Sequence, residues 1–242
     1  MTNFADPKVG CAAGELCLRA AGHDAATSAI GGLYWRYEQW IRKSEAAFGS
    51  PVGVYGGFYA VRRELVAQQP TGMILDDLYQ PLAVIRKGYR SVLDQKALVY
   101  DTWPKDVTGE FHRKVRTLAG NYQLVQLVPW SVTLSNPILF QFLSHKVLRL
   151  FVPYLLVLIQ VSCATLAIGS WPYAALTILQ FASWLAALIS LRFEIPLLQR
   201  ALAPVSALLV LNAAAVVGLF RFFTTRGPLW KIWTSRQLVH GR

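Results

Sequence analysis

Acidic residues are scarce in the second half of this 242-residue chain. The sequence has 13 Asp and Glu against 24 Lys and Arg, a formal net charge of +11, and beyond Glu110 the only acidic residue is Glu194. Residues 150–191 contain no charged side chain, and neither do residues 201–220. Since 54% of the residues are hydrophobic, this composition excludes a disordered chain and argues against a simple water-soluble globule.

Cysteine is also scarce, and the start of the sequence has no secretory signal. Cys11, Cys17 and Cys163 form no Cys-x-x-Cys pair and have no histidine at ligand spacing, so neither a zinc site nor a disulfide framework is predicted. The first 30 residues lack a basic segment followed by an apolar core. We therefore expect later segments to bring the chain to a membrane.

The uncharged segments predict three membrane crossings of about 20 residues each, at 147–168, 172–191 and 204–223. The first link has no cation, whereas Arg192 and Arg200 lie in the second, so the positive-inside rule places the front domain and the second link in the cytoplasm of a multi-pass plasma-membrane protein. Three crossings would put the basic tail, residues 224–242, outside. The sequence leaves open whether the third segment is re-entrant or the tail is an exception.

The front of the chain predicts an α/β domain over residues 1–116. Helical and strand patterns alternate there, with a strand at 9–18, a loop at 22–32, helices at 33–48 and 76–87, and a strand at 91–100. Residues 117–146 follow several cations and are apolar but broken by Pro129 and Pro137, which predicts amphipathic helices at the membrane surface. The predicted membrane region is 147–223.

Two adjacent carboxylates and two arginines are the side chains best suited to chemistry. Asp76 and Asp77 come directly before a predicted helix, where a carboxylate either caps the helix or faces a cleft as a general base. Arg113 and Arg116 are three residues apart on one helical face, which suits a ligand that bears phosphate.

The order of these motifs resembles the membrane-bound family 2 glycosyltransferases, the inverting GT-A enzymes that include cellulose, chitin, hyaluronan and poly-N-acetylglucosamine synthases. The family's carboxylate pair, Gly-Tyr-Arg turn and Arg-rich motif are similar to residues 76–77, 88–90 and 113–117, and its Gly-rich strand to residues 56–63. Residues 4–10 are similar to the segment that follows the family's metal-binding loop. The likeness covers nearly the whole chain in the right order.

The resemblance implies a role for each matching residue. Asp77, with Asp76 beside it, would be the base that takes a proton from the acceptor hydroxyl. Arg113 and Arg116 would stabilise the departing nucleotide diphosphate. The acceptor side would include Gly56, Gly57 and Arg62. Thr117 stands where many members have tryptophan, which favours a single-sugar or short-chain transferase over a processive synthase.

The front of the family pattern is missing. A complete member binds Mg²⁺ or Mn²⁺ against the donor diphosphate through an Asp-x-Asp loop, and no Asp-x-Asp occurs here. We therefore expect an incomplete GT-A-like domain, similar to the C-terminal portion of a longer enzyme, that binds no metal and is inactive alone. Its expected partners are a nucleotide-sugar donor, a saccharide or lipid-linked acceptor, membrane lipid and a nucleotide-binding partner chain, with no nucleic acid.

The alternative is a non-catalytic membrane subunit or degenerate homologue whose basic face binds a partner chain or anionic lipid. A small transporter is disfavoured because the spans show no inverted repeat and no intramembrane charge pair.

Overall fold

The structure, a computed structural model, describes residues 2–19, 25–102, 107–193 and 196–225. Within these ranges, three strands form one sheet and seven α-helices accompany it. The strands are β1 (Val9–Arg19), β2 (Tyr59–Val61) and β3 (Arg90–Thr102). The helices are α1 (Ala25–Phe48), α2 (Asp76–Arg86), α3 (Val107–Leu127), α4 (Leu139–Phe142), α5 (Leu148–Leu166), α6 (Trp171–Arg192) and α7 (Pro196–Thr224). Short 3₁₀ helices cover Thr2–Ala5, Arg63–Leu65 and Pro129–Val132, and a π-helix, Leu143–Val147, joins α4 to α5.

The sheet has the order β2-β1-β3, with β1 antiparallel to β2 and parallel to β3. In this register Ala12 lies opposite Ala60 on one side and Val92 on the other. The pairing of β1 with β3 shifts between Gly14 and Glu15, where the absence of a side chain lets the β3 backbone approach closely.

Helix α2 lies between β2 and β3 in the chain and ends where the sequence predicts. Asp76 and Asp77 fill its first turn, where negative charge favours the helix dipole, and Gly88 follows its end at a φ of 85°. Its apolar face, which includes Leu78 and Leu82, is buried in the main core. The predicted helix at 76–87 and the predicted strands at 9–18 and 91–100 are confirmed to within a few residues.

Helix α1 corrects one expectation. The helix predicted at 33–48 is present, but it begins at Ala25, within the segment predicted as a loop; residues 20–24 lie outside the described part of the chain. The alanines near its start have the highest helix propensity and offset the glycines that suggested a loop. Packing of α1 against α7 adds tertiary support that composition does not show.

Three helical segments of the described chain are long and apolar enough to cross a membrane: Leu139–Leu166, Trp171–Arg192 and Ala201–Thr224. They match the predicted segments closely. The third segment is more enclosed than the others. Of the 18-residue apolar stretch in each segment, 33% is buried inside the protein in the third and 11% in each of the first two. Helix α3 is continuous across residues 116 and 117, so the predicted domain boundary falls inside a helix.

Small side chains let α3 and α7 pack closely. Ala214 and Ala215 of α7 are buried against α3 and against Leu150 at the start of α5. Gly218 lies so near that a Cβ built on it would be 3.2 Å from the backbone nitrogen of Ala119. This contact joins α7 to the α/β part of the molecule.

Replacing Gly14 with alanine tests the close approach of β1 and β3. A Cβ there would lie 2.6 Å from the carbonyl oxygen of Ala97 and 2.6 Å from Phe58 Cδ1, so the strands must shift. We expect Gly14→Ala to lower the free energy of unfolding by about 1–3 kcal/mol, measured by thermal and chemical unfolding in detergent. The control is Gly32→Ala in α1, where a Cβ meets nothing within 4 Å; it should be neutral or stabilising. Equal stability of Gly14→Ala and the native protein would contradict the register described.

Candidate active site

Asp77 lies where a glycine-containing segment crosses the start of α2. The backbone N–H of Val54 donates to the Asp77 carbonyl oxygen at 3.0 Å. Gly56 faces the same residue, and a Cβ built on Gly56 would be 3.3 Å from the Asp77 Cβ. The fold therefore brings together two residues, Asp77 and Gly56, that the sequence analysis assigned to one site, and glycine keeps the space beside the carboxylate open.

The surroundings of Asp77 make its carboxyl a good proton acceptor. Leu75 occupies the N-cap position of α2, so neither aspartate is the capping residue. Burial raises the pKa of Asp77, the charge of Asp76 raises it further, and Lys146 and Arg42 offset part of the rise. A carboxylate with a raised pKa holds an abstracted proton more strongly, which is the property that a general base needs near neutral pH.

Two tyrosines beside the glycine pair extend this site, and sequence reasoning missed both. Burial raises the pKa of Tyr55, and so does Asp101, whose Oδ2 accepts the Tyr55 hydroxyl at 3.0 Å. Burial and then the charge of Asp76 raise the pKa of Tyr59, with smaller contributions from Cys11 and Asp77. The sequence pattern that could have identified them is their position, since they flank Gly56 and Gly57 in the run Tyr-Gly-Gly-Phe-Tyr. Aromatic faces with hydroxyl groups suit a sugar ligand.

The two predicted arginines lie on the exposed side of α3. Arg113 Nη2 is 2.7 Å from Glu110 Oε2 in a surface ion pair, and Arg116 is exposed. The Arg113 charge lowers the pKa of Tyr55, against the larger effects that raise it, so this guanidinium lies within electrostatic range of the tyrosine next to Gly56. An exposed ion pair contributes at most about 1 kcal/mol, so Arg113 can exchange its partner for a phosphate at little cost.

The remaining predicted residues have structural contacts. Arg62 Nε donates to the Val9 carbonyl at 2.7 Å, and its Nη2 donates to the Phe4 and Asp6 carbonyls at 2.9 and 3.0 Å. Gly57 lies against the Tyr55 ring, with 2.7 Å between a built Cβ and Tyr55 Cε1. Arg62 thus anchors the segment before β1, whereas Gly57 shapes the backbone next to Tyr55.

A buried ion network that the sequence analysis did not find lies between α1 and the start of the first apolar helix. The imidazole of His145 bridges two carboxylates, with 2.7 Å from Nδ1 to Glu45 Oε1 and 3.0 Å from Nε2 to Glu38 Oε1. Glu38 also lies 3.6 Å from Lys146 Nζ and 3.1 Å from Arg149 Nη2. Burial raises the pKa of Glu38, but Lys146, His145 and Arg149 together outweigh it and hold that pKa well below its usual range.

This network reaches Asp77 through the backbone. Glu45 Oε2 accepts the N–H of Val52 at 3.1 Å, and two residues later Val54 donates to the Asp77 carbonyl. The side chain of Lys146 also acts on Asp77 directly by its charge. The start of α5, helix α1 and the candidate base are therefore parts of one connected arrangement.

The described residues do not fit a divalent metal. Within residues 2–19, 25–102, 107–193 and 196–225, no three His, Cys, Asp or Glu side chains are grouped so that they could hold a metal ion. Asp76 and Asp77 alone make an incomplete ligand set.

Comparison with known proteins identifies the fold. The sequence matches no protein-family model and no curated protein. Among solved structures it is similar to the mannosyltransferase PcManGT from Pyrobaculum calidifontis, determined in complex with GDP-Man and Mn²⁺, with a TM-score of 0.59 and 19% sequence identity. The match covers 93% of this chain and 56% of the mannosyltransferase chain. The chain has a glycosyltransferase fold and spans little more than half the length of that neighbour.

Replacing Asp77 with asparagine should stabilise the protein at neutral pH. Because the folded-state pKa is raised above the unfolded value, the buried charge costs stability above the folded pKa and costs nothing once both states are protonated. We expect Asp77→Asn to raise the melting temperature at pH 7, with the gain disappearing as the pH falls through the folded pKa towards the unfolded value near 4.

Asp94→Asn is the control of opposite sign. Asn3 Nδ2 donates to Asp94 Oδ2 at 2.7 Å, and this bond, with the Lys96 backbone N–H, lowers the Asp94 pKa. Its charge therefore stabilises the fold above the unfolded pKa, so this variant should melt lower than the native protein at pH 7 and equal it only in acid. If Asp77→Asn melted lower than the native protein at pH 7, the environment described for Asp77 would be wrong.

Replacing Glu38 with glutamine tests the buried network. Loss of this carboxylate leaves Lys146 and Arg149 with too little negative charge, and breaking a buried pair costs about 3–5 kcal/mol. We expect that loss in the free energy of unfolding, measured by chemical denaturation in detergent. The matched control is Glu110→Gln, which removes the pairs with Arg113 and Lys114; these are more accessible to water than the Glu38 cluster, so the loss should cost about 1 kcal/mol. Similar costs for the two variants would show that the Glu38 cluster does not behave as a buried network.

Proposed function

We propose that this chain is the acceptor-side and membrane-bound part of an inverting glycosyltransferase of the GT-A type, acting in the synthesis of cell-surface polysaccharide. The observation that carries the proposal is the setting of Asp77. On a glycosyltransferase fold, a carboxylate with a raised pKa lies at a helix start, with a glycine backbone against it and two tyrosines nearby. These are the features of a general base that takes the proton from a sugar hydroxyl.

In the proposed reaction an Asp77 oxygen accepts the proton of an acceptor hydroxyl while the hydroxyl oxygen attacks the anomeric carbon of the donor sugar. The new carbon–oxygen bond forms as the bond to the diphosphate oxygen breaks, and the nucleoside diphosphate leaves with the bonding electrons. A single displacement of this kind inverts the anomeric centre. Arg113 and Arg116 stabilise the charge that develops on the leaving diphosphate.

The acceptor is proposed to bind beside Tyr55 and Tyr59. Their rings can stack on a sugar and their hydroxyl groups can bond to it. Apolar helices that begin next to the site hold it at the membrane, where a lipid-linked or growing saccharide is available. We place the α/β domain on the cytoplasmic side of the plasma membrane, where nucleotide-sugars are made.

The donor is proposed to need residues outside this sequence. The mannosyltransferase neighbour binds GDP-Man and Mn²⁺, and the present chain matches 56% of it. The described residues offer no set of metal ligands. We therefore propose that Mg²⁺ or Mn²⁺ and the nucleotide are held by a further stretch of polypeptide or by a partner chain, and that the 242 residues alone transfer little sugar.

Nucleotide binding tests this division of labour. The detergent-purified chain is titrated with GDP and with UDP in the presence of Mn²⁺ by calorimetry, beside the same chain extended at its amino terminus by in-frame upstream coding sequence. We expect no heat from the chain alone and saturable binding by the extended protein. Binding by the chain alone would overturn the proposed dependence on outside residues. An extended protein that binds neither nucleotide would favour the non-catalytic membrane subunit.

Asp77→Asn in the extended protein tests the base. Loss of a general base lowers turnover by about 10²–10⁴-fold, whereas nucleotide affinity should stay within twofold because Asp77 is proposed to contact the acceptor. Asp94→Asn is the control because Asp94 bonds to Asn3 and to the Lys96 backbone N–H and has no proposed role in the reaction, so this variant should transfer sugar at the native rate. Native turnover by Asp77→Asn would exclude Asp77 as the base.

A further inference from the structure

Contacts with the α/β domain fix which end of the α5–α6 hairpin lies near it. Arg149, in the first turn of α5, reaches Glu38 of α1, so α5 starts at the domain. Residues 167–170 turn the chain into α6, and Gln180 Nε2 donates to the Leu156 carbonyl at 3.1 Å, as expected for antiparallel neighbours. The end of α6, where Ser190 is buried, therefore lies at the same end of the hairpin as the start of α5, next to the α/β domain.

From Ser206 to Phe222, helix α7 stays beside the α/β domain. Ser206 Oγ is 3.0 Å from Ser190 Oγ, near the end of α6. Further along, Ala214 and Ala215 pack with Leu150 near the start of α5, and the Phe222 ring stacks on Tyr122 of α3 at 5.9 Å between centroids. Both Ser206, in the first half of α7, and Phe222, near its end, thus lie on the domain side of the molecule.

The length of the helix makes this arrangement incompatible with a crossing. From Ser206 to Phe222 an α-helix advances about 24 Å, which is most of the hydrocarbon thickness of a bilayer. A helix that left the domain side at Ser206 would have Phe222 near the far surface. Instead, Phe222 packs against the main core, which also contains Leu78 of α2.

The two sides of α7 differ in what they contact. Ala214, Gly218 and Phe222 face α3, whereas Val216, Phe220 and Phe223 lie on the opposite side of the helix and are exposed. Phe220 is 64% exposed and Phe223 is 75% exposed. Large aromatic side chains on one face of a helix that continues from two apolar hairpin helices suit the acyl boundary of a lipid bilayer.

We propose that α7 lies along the membrane surface without crossing it, with α3 on one side and lipid on the other, so that the end of α7 at Thr224 stays on the same side as the α/β domain. The described residues then cross the membrane twice, through the α5–α6 hairpin. Arg192 in the last turn of α6 and Arg221 in the last turn of α7 lie on one side, and the cation-free turn at 167–170 lies on the other, as the positive-inside rule requires. The proposal holds whether or not the chain transfers sugar.

Site-specific labelling tests on which side α7 ends. The three native cysteines are replaced by alanine, and single cysteines are introduced as Gln95→Cys in β3, Ser170→Cys in the α5–α6 turn and Thr225→Cys directly after α7. A membrane-impermeant maleimide is applied to sealed vesicles of both orientations, and labelling in detergent checks that each thiol reacts. Thr225→Cys should label from the same side as Gln95→Cys and from the side opposite to Ser170→Cys. Labelling from the same side as Ser170→Cys would overturn the proposal.

Cross-linking gives an independent measurement within the membrane-bound protein. The pair Tyr122→Cys and Phe222→Cys should join rapidly with a short bifunctional maleimide because the two native rings stack. The matched control pairs Tyr122→Cys with Phe220→Cys, on the exposed side of α7, and should join several-fold more slowly. Equal slow reaction of both pairs would show that α7 has left α3, as a third crossing requires.

Discussion

Glu38 is a charge that the rest of the structure has to accommodate. A carboxylate removed from water is strongly unfavourable unless cations and hydrogen-bond donors surround it. Here the cations come from Lys146 and Arg149 at the start of the apolar hairpin, and His145 links Glu38 to Glu45. The requirement fixes where α5 leaves the α/β domain. Because the hairpin begins at this point, the Glu38 cluster also determines where α6 ends and where α7 lies relative to the α/β domain.

Two glycines determine how closely the elements around the candidate site can approach each other. Gly56 allows backbone to lie against Asp77, and Gly218 allows α7 to lie against the backbone of α3, the helix that carries Arg113 and Arg116. Both contacts favour a residue without a Cβ, since a Cβ built at either position would lie 3.2–3.3 Å from a neighbouring atom and would press the elements apart slightly. The candidate site thus depends on two close backbone contacts: the segment at Gly56 lies against Asp77, and α7 at Gly218 lies against α3.

Local patterns predicted the parts of this fold that depend on local physics. The strand at β1, helix α2 with Gly88 after it, and strand β3 follow from alternation, first-turn carboxylates and a glycine at positive φ. Hydropathy found the apolar helices, but it measures length and composition and so could not show that α7 packs on α3. The pairing of Glu38 with His145 joins residues 107 positions apart, which no local pattern reports. The glycosyltransferase fold was expected from motif order, whereas the approach of Tyr59 to Asp76 and Asp77 joins separate segments of the chain and is seen only in three dimensions.

The π-helix at Leu143–Val147 makes the length of this segment more important than its composition. A π-helix is equivalent to an α-helix that has accepted one extra residue, and here it places His145 and Lys146, which are adjacent in sequence, in the same buried cluster. Removing one residue would restore regular helix and rotate everything after it by about 100°, carrying Arg149 away from Glu38. Evolution of this junction can therefore exchange its exposed side chains freely, but an insertion or deletion there would turn the whole hairpin relative to the domain.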